Sequence, residues 1–395
     1  MNYDFETAVD RSGMSAAKWI GMKGRNPRVP QGIVPFSVAD MDLKNPPEVA
    51  EGLKDFLDDA VLGYTEPYDG YFDAVCGWMK SRHGWDASRE WIVLTPGVVT
   101  ALYHAVRAFT KPGDGVILMT PVYGPFYGAI RQNGRKIVEI PLRDCGGRYE
   151  IDFDSLERKA ADPANTMLLF CSPHNPVGRV WTRGELEKVA EICLRNHVLV
   201  VSDEIHSDLI LPGHAHTVFA GVSDEAADRC VVCTAPSKTF NLAGMQASNI
   251  FVPNGGLRAR LKAELSRSGI SELNILGYKA CEIAYEKCGG WLDRLLALVD
   301  GNRAFTERFL AERIPGIRPC RMEGTYLQWW DCRGLGMDEQ ELERFLTREA
   351  LFFAVPGTAF GQAGAGFERV NLACPRATSP TRCAAWKRRS ARGNS

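Results

Sequence analysis

Between residues 91 and 234 the chain alternates short, predominantly apolar runs with amphipathic stretches of helical period, an alternation that few folds accommodate. The runs fall at residues 91–94, 116–119, 167–171, 198–201 and 231–234, each too short for a helix and rich in Val, Ile and Leu. Residues 98–109 and 185–196 instead carry apolar side chains at helical spacing. The second does so through Leu186, Val189, Ala190 and Cys193, with Asn196 as a stop. Strands that are apolar on both faces and separated by helices read as a mostly parallel sheet covered on both sides. The expected fold class is α/β.

At 395 residues the chain exceeds the roughly 250–300 at which a single core stops growing, so more than one unit is expected. We expect residues 49–285 to form the large sheet-bearing unit and residues 286–395 a smaller α+β unit. Residues 270–310 read as long helices, with GTYLQWWDC and FERVNLACP as strands after them. Residues 1–48 are expected to pack with the smaller unit. The final TSPTRCAAWKRRSARGNS is basic without helical period and reads as a frayed tail.

A net charge of -1 offers no field for nucleic acid or an anionic membrane. No apolar run approaches the ~18–20 residues of a membrane span. The start MNYDFETAVDRSG is acidic where an export signal is basic and then apolar. Twelve cysteines without regular spacing, several inside apolar runs, suit a reducing cytoplasm. Cys230 and Cys233 lack a second pair at zinc spacing and lie in an expected strand, so they read as structural and no metal is expected. These features point to a cytoplasmic protein whose partner is a small molecule.

In open α/β sheets ligands bind beyond the carboxyl ends of the strands. Gly97, Tyr123, Asn175, Asp203 and Lys238 all fall there. Lys238, in APSKTFNLAG between Ser237 and Thr239, is placed to carry a covalently bound group, and Gly244 would allow a tight turn after it. Asp203 ends an apolar run, so its carboxylate emerges at the sheet edge, where it could hold a protonated ring nitrogen; a plain helix cap is the alternative. Glu204 is expected to point elsewhere.

Asn175, between prolines in SPHNPVG, could donate to a phenolate oxygen, with His206 beside it. Gly97, Val98 and Val99 mark a strand-to-helix turn whose free N–H groups suit a phosphate. Tyr123 could stack on an aromatic ring. Arg369, with Arg376 as its rival, offers a planar guanidinium for a substrate carboxylate. Each residue alone is ordinary. Together they read as a site for pyridoxal 5'-phosphate.

The strings FSVADMDLKNPP, LGYTEPYDGYFDAV, TPGVVTAL, TPVYGPFYGAI, CSPHNPVGRVW, VSDEIHSDLI, TAPSKTFNLAGMQASN, EGTYLQWWD and FERVNLACPRAT form an ordered set over about residues 3–376. In this order they resemble the MalY/PatB-type cystathionine β-lyases, fold-type I pyridoxal-phosphate enzymes of the class I and II aminotransferase superfamily. The resemblance implies a homodimer with active sites at the subunit interface. It implies Lys238 as the cofactor-bearing lysine, Asp203 at the ring nitrogen, Asn175 at the phenolate and Tyr123 on the ring. Tyr64 would reach the phosphate or substrate region of the neighbouring subunit, sharing catalytic work with Lys238 and Tyr123. Arg369, Asn175 and Ala39 would bind substrate.

The chain also departs from this pattern. Many aminotransferases of the fold bind the phosphate with a serine three positions before the lysine and an arginine eight after it; here these are Ala235 and Gln246. Thr234, Ser237 and Gln246 are the available substitutes. His206 stands where a tyrosine is common, and Ser37 where lyase-type relatives often have tryptophan. The expected reaction is β-elimination from L-cystathionine, cysteine or S-substituted cysteines to pyruvate, ammonia and a thiol. Amino-acid transamination is the runner-up. A pyridoxal-phosphate-binding regulator with a partner-binding role is the reading from another class, although the roughly 30 residues before FSVADMD are too few for a DNA-binding module.

Overall fold

A computed structural model describes residues 3–378, so the basic stretch read as a frayed tail lies, from residue 379 on, outside the described residues. The first strands in chain order are β1 (Ile92–Thr95), β2 (Gly115–Thr120), β3 (Lys136–Pro141), β4 (Arg143–Asp144), β5 (Tyr149–Glu150), β6 (Asn165–Cys171) and β7 (Leu199–Asp203). They are followed by β8 (Cys230–Thr234), β9 (Ser248–Phe251), β10 (Arg318–Pro319), β11 (Leu327–Asp331), β12 (Val355–Pro356) and β13 (Phe367–Asn371). Seven of them form one sheet in the order β1-β9-β8-β7-β6-β2-β3, parallel throughout except for β9, which opposes both of its neighbours.

The expected α/β class is what the chain adopts, and the central strands show why. Along β2, Val116 and Leu118 enter the apolar core on one face of the sheet, while Ile117 and Met119 enter the core on the other. In β6, Met167 and Leu169 face the first core and Leu168 and Phe170 the second. A strand buried on both faces must be apolar at every position, which produces the uninterrupted runs seen in the sequence.

The helix Val98–Phe109 has the expected bounds. The helix Arg183–Arg195 begins earlier than its apolar period suggested, because Thr182 and Glu185 close a reciprocal capping box ahead of it. Strands β3 and β9 were not anticipated. The first is a half-exposed edge strand and the second is only four residues long, so neither gives the apolar run of a central strand.

A second sheet, β10-β11-β13-β12, is antiparallel. In it Trp329 stacks on Phe367 with ring centroids 5.1 Å apart. The chain before the large sheet packs here: Phe36 N–H donates to Phe353 O at 2.7 Å and Asn371 N–H to Phe36 O at 2.9 Å. No helix among the described residues is long and apolar enough to cross a membrane.

One buried ion pair joins the turn after β6 to the segment that leads into β11. Arg179, fully buried, donates through Nε to Glu323 at 2.8 Å, through Nη2 to Glu185 at 2.9 Å, and through Nη1 to the Tyr149 carbonyl. Its guanidinium lies 4.6 Å from the Trp181 ring centroid. Glu323 also accepts from Val180 N–H at 3.1 Å. Removing one partner of such a pair leaves the other charged and buried, which costs about 3–5 kcal/mol, whereas apolar replacement of both costs far less. Urea unfolding should therefore find Glu323→Ala destabilised by about that amount. The double variant Arg179→Met/Glu323→Leu should be more stable than either single change.

Candidate active site

Because β1, β2, β6, β7 and β8 run the same way, the segments that follow them gather at one edge of the sheet. β9 runs the other way, so the residues before it, Gln246 and Ala247, reach the same edge. Together they enclose a hollow of about 180 Å³. Ala39, Gly97, Val98, Val99, Tyr123, Asn175, Asp203, His206, Ser237 and Lys238 all line it. Cys171, Ile205 and Gln246 complete much of the remaining wall.

Three of the residues singled out in the sequence do not line it: Tyr64, Arg376 and Arg369. Tyr64 is fully exposed and outside this hollow. Arg376 lies over the Phe305 ring, 5.7 Å from its centroid, so Arg369 and not its rival stands beside the site.

Lys238 sits in the one-turn helix Pro236–Thr239 just after β8. Its Nζ donates to the Ala39 carbonyl at 2.7 Å. Burial, aided by the Arg369 charge, lowers its amine to about 8. Asp203 ends β7, and its Oδ1 accepts the Ile205 N–H at 3.1 Å. Burial raises its carboxyl to about 7, against the opposing pull of that N–H and of Lys238. Both groups are thus displaced toward their neutral forms, the response of ionisable side chains to a dry site.

Asn175 accepts from Arg369 Nη1 at 3.1 Å through Oδ1. Arg369 is itself buried one layer behind the wall: Nη2 donates to Ser37 O at 3.4 Å and Nε has no partner. Both of its hydrogen bonds go to neutral acceptors, and burial lowers its guanidinium to about 10. His206 also carries an unpartnered nitrogen, Nδ1, and burial followed by the Lys238 and Arg369 charges holds its ring well below the usual imidazole range.

At the other end of the hollow Gly97 has φ +105°, a conformation that favours glycine, and turns β1 into the helix Val98–Phe109. The first amides of that helix have no acceptor within it, and Val98, Val99 and Thr100 line the hollow, an arrangement that suits an anion. Of the three proposed substitutes for a phosphate-binding serine and arginine, Thr234 is already committed, its hydroxyl donating to Asn249 O at 3.1 Å. Ser237 and Gln246 line the hollow, and Ala235 is buried outside it. The expected role of Gly244 needs correction. The left-handed residues of that turn are Asn241 and Gln246, at φ 58° and 49°, and Gly244 has an ordinary conformation within a 3-10 turn.

One residue went unnoticed in the sequence. Tyr326, just before β11, donates its hydroxyl to Ala39 O at 2.9 Å, sharing that carbonyl with Lys238, and its ring meets His206 edge-on at 6.0 Å. The string around it was visible, but the contact depends on the path of residues 37–42, which have no periodicity to read.

An amine, a carboxyl group, a side-chain amide and a helix N-terminus in one hollow complement a small aromatic aldehyde that carries a basic ring nitrogen and an anionic group. The unpartnered nitrogens of His206 and Arg369 are further donors or acceptors with no protein partner. No cluster of three metal-ligating side chains occurs among the described residues.

The family described as aminotransferase class I and II matches residues 31–385. The chain is 45% identical to the cystathionine beta-lyase PatB of Bacillus subtilis (strain 168) over 375 residues, covering 95% of this chain and 96% of that protein. Cystalysin from Treponema denticola, whose crystal structure contains a pyridoxal 5'-phosphate cofactor, superposes with a TM-score of 0.98 at 47% identity, covering 99% of this chain and 100% of that one. A pyridoxal-phosphate-bound C-S lyase from Staphylococcus hominis, in the external aldimine form with the inhibitor L-cycloserine, gives 0.91 at 31% identity and covers 98% of both chains.

The raised carboxyl of Asp203 has a measurable consequence for the chain without ligand. An unfolded aspartate titrates near about 4, whereas this one titrates at about 7. Between those values the native state holds a proton that the unfolded state has lost, so stability falls as pH rises through this window and levels off above it. Asp203→Asn removes the dependence. Urea titrations at pH 5 and pH 7.5 should show the variant gaining on the parent protein by up to a few kcal/mol as pH rises, the sign following from the raised carboxyl.

Proposed function

The chain belongs to the aminotransferase class I and II family, and from that premise we propose that it is a pyridoxal-phosphate-dependent carbon–sulfur β-lyase. Its reaction converts L-cystathionine, cysteine or S-substituted cysteines to pyruvate, ammonia and a thiol. The observation that carries this reading is the presence of Lys238 and Asp203 in one hollow, in a chain whose relatives bear the lyase name.

When bound, pyridoxal phosphate supplies an electron-withdrawing ring that takes up the electron pair released at the substrate's α-carbon. Lys238 would anchor the cofactor and would move the substrate's α-proton. An amine brought down to about 8 has far more of its free-base form near neutral pH than an ordinary lysine, as a base for that proton must. Asp203 would hold the proton of the ring nitrogen. Asn175 and His206 serve the ring oxygen, and Tyr123 covers the ring face. The amides of Val98 and Val99, with Gly97, Ser237 and Gln246, hold the phosphate. Arg369, with Asn175 and the backbone at Ala39, takes the substrate carboxylate; its unpartnered Nε supports that role.

Residues 49–285 serve as the cofactor-bearing unit in this reading. The chain after 285 and before 49 supplies the substrate side. The working form is a homodimer in the cytoplasm. The exposed apolar run of Leu57, Val61, Leu62 and Tyr64 supports an interface through which Tyr64 reaches the other subunit's site. Buried cysteines with no disulfide among the described residues agree with a reducing compartment.

Purified protein given L-cystathionine and no keto acid should release pyruvate and thiol in equal amounts. A requirement for a 2-oxo acid, with no thiol released, would assign it to amino transfer instead. Lys238→Ala should lower kcat by about 10²–10⁴-fold, the usual contribution of a positioned base. Arg369→Ala should raise KM for cystathionine about 10- to 100-fold, since a charge-assisted pair contributes on the order of 1.5–3 kcal/mol.

A further inference from the structure

Beneath the floor of the hollow lies a buried polar array that the chemistry above does not use. Thr239, next to Lys238, donates its hydroxyl to Asp208 Oδ2 at 2.6 Å. Asp208 Oδ1 accepts from Trp78 Nε1 at 2.9 Å and lies 2.8 Å from His83 Nε2. The His83 ring meets His216 edge-on, with centroids 5.6 Å apart. His216 Nε2 is 2.8 Å from Glu204 Oε2, and Glu204 Oε1 accepts from the Ser202 hydroxyl at 2.8 Å and from Phe219 N–H at 2.9 Å. The side chains of His83, Asp208, His216 and Glu204 are each at most 5% exposed.

One end of the array touches the neighbour of Lys238, and the other touches both neighbours of Asp203. We propose that Thr239, Asp208, His83, His216 and Glu204 are positioning residues that fix Lys238 and Asp203 relative to each other. This rests on the reading that those two residues hold the cofactor.

The local structure says why such a device is needed. The one-turn helix Pro236–Thr239 has few internal bonds: its cap is Phe240 N–H to Pro236 O at 2.9 Å, and Leu242 N–H reaches Ser237 O at 3.0 Å. A turn this short does not fix its own rotation. The Thr239 hydroxyl ties it to Asp208, which the bonds from Trp78 and His83 tie in turn to the helix Asp69–His83.

On the strand side, side chains alternate between faces. Ser202 and Glu204 therefore point away from the hollow while Asp203 points into it. Holding the outer pair sets the direction of the inner carboxylate. Burial opposes the charge on Asp208, but the bonds from His83, Thr239 and Trp78 outweigh it and keep its carboxyl below the ordinary range. A core that needed only filling would be served as well by apolar side chains, since buried ionic groups add little net stability.

Thr239→Val exchanges the hydroxyl for a methyl group of the same shape. In the holoenzyme it should weaken retention of pyridoxal phosphate about tenfold or more, the loss expected for a buried bond to a charged acceptor. It should also shift the visible absorbance maximum of the bound cofactor. The melting temperature of the protein stripped of cofactor should stay within about 4 °C of the parent. Thr239→Ser should restore both affinity and spectrum. Asp208→Asn and His83→Phe should act in the same direction, but each breaks the buried Asp208–His83 pair, whereas Thr239→Val removes one hydroxyl bond, so the Thr239 pair decides.

Cofactor retention within twofold of the parent with an unchanged spectrum in Thr239→Val would overturn the proposal, as would a Thr239→Ser variant no better than Thr239→Val. If Lys238→Ala keeps the parent spectrum, it is the assignment of Lys238 that falls, and the proposal with it.

Discussion

Lys238 and Asp203 are buried in one hollow, yet each is satisfied by neutral backbone rather than by the other: the amine by the Ala39 carbonyl, the carboxylate by the Ile205 N–H. An ion pair would have stabilised both charges and left nothing for a ligand to do. Kept apart in a dry site, both drift toward neutrality. A group with a basic nitrogen for the carboxyl and an electrophilic carbon for the amine meets both needs at once. The remainder of the fold bears the cost of this unfavourable burial through two apolar cores, one on each face of the large sheet.

The separation depends on residues 37–42, which run irregularly between the two sheets. Buried irregular backbone needs hydrogen-bond partners that no strand supplies, and here side chains from both sides provide them. Asn371 donates to Val38 O at 2.8 Å and to Asp40 O at 2.6 Å. From the other side, Asn241 exchanges bonds with the Met41 backbone at 2.9 and 3.2 Å. The fully buried Lys18 pairs with Asp40 and Asp42 at 3.1 and 3.0 Å. The Ala39 carbonyl, shared by Lys238 and Tyr326, is the point where both sheets meet the reactive amine. The early part of the chain is therefore a structural member of the site.

How much was legible in the sequence follows the same division. The central strands were readable because burial on both faces forces an apolar run, and their ends located Asn175, Asp203 and Lys238 because a parallel sheet collects such ends at one edge. Strand β9 escaped notice, being short and reversed, and with it went the reason that Gln246 reaches the hollow. The role of Thr234 was open until its hydroxyl was found on Asn249. Tyr326 and residues 37–42 act through contacts between segments far apart in the chain, which no local period encodes. The left-handed turn after Lys238 was assigned to Gly244 because glycine is the usual occupant, whereas Asn241 adopts it while its side chain bonds Met41.

The end of the hollow at the helix Val98–Phe109 shows how charge is apportioned along it. Lys238 is the only lysine or arginine among the described residues that line it, and Gln246 supplies a neutral amide in a position where a guanidinium could have stood. A second cation in a hollow of about 180 Å³ would act on Lys238 as Arg369 already does, lowering its amine further. With amides and a hydroxyl instead, the pull on an anion comes from the N-terminus of the helix Val98–Phe109, equivalent to roughly half a charge and confined to its first turn. Dipoles fixed in the backbone do not titrate. Those amides keep the same charge at every pH, whereas the amine of Lys238 has a proton affinity lowered by burial, Arg369 and Lys18 and raised by Asp40 and Asp203.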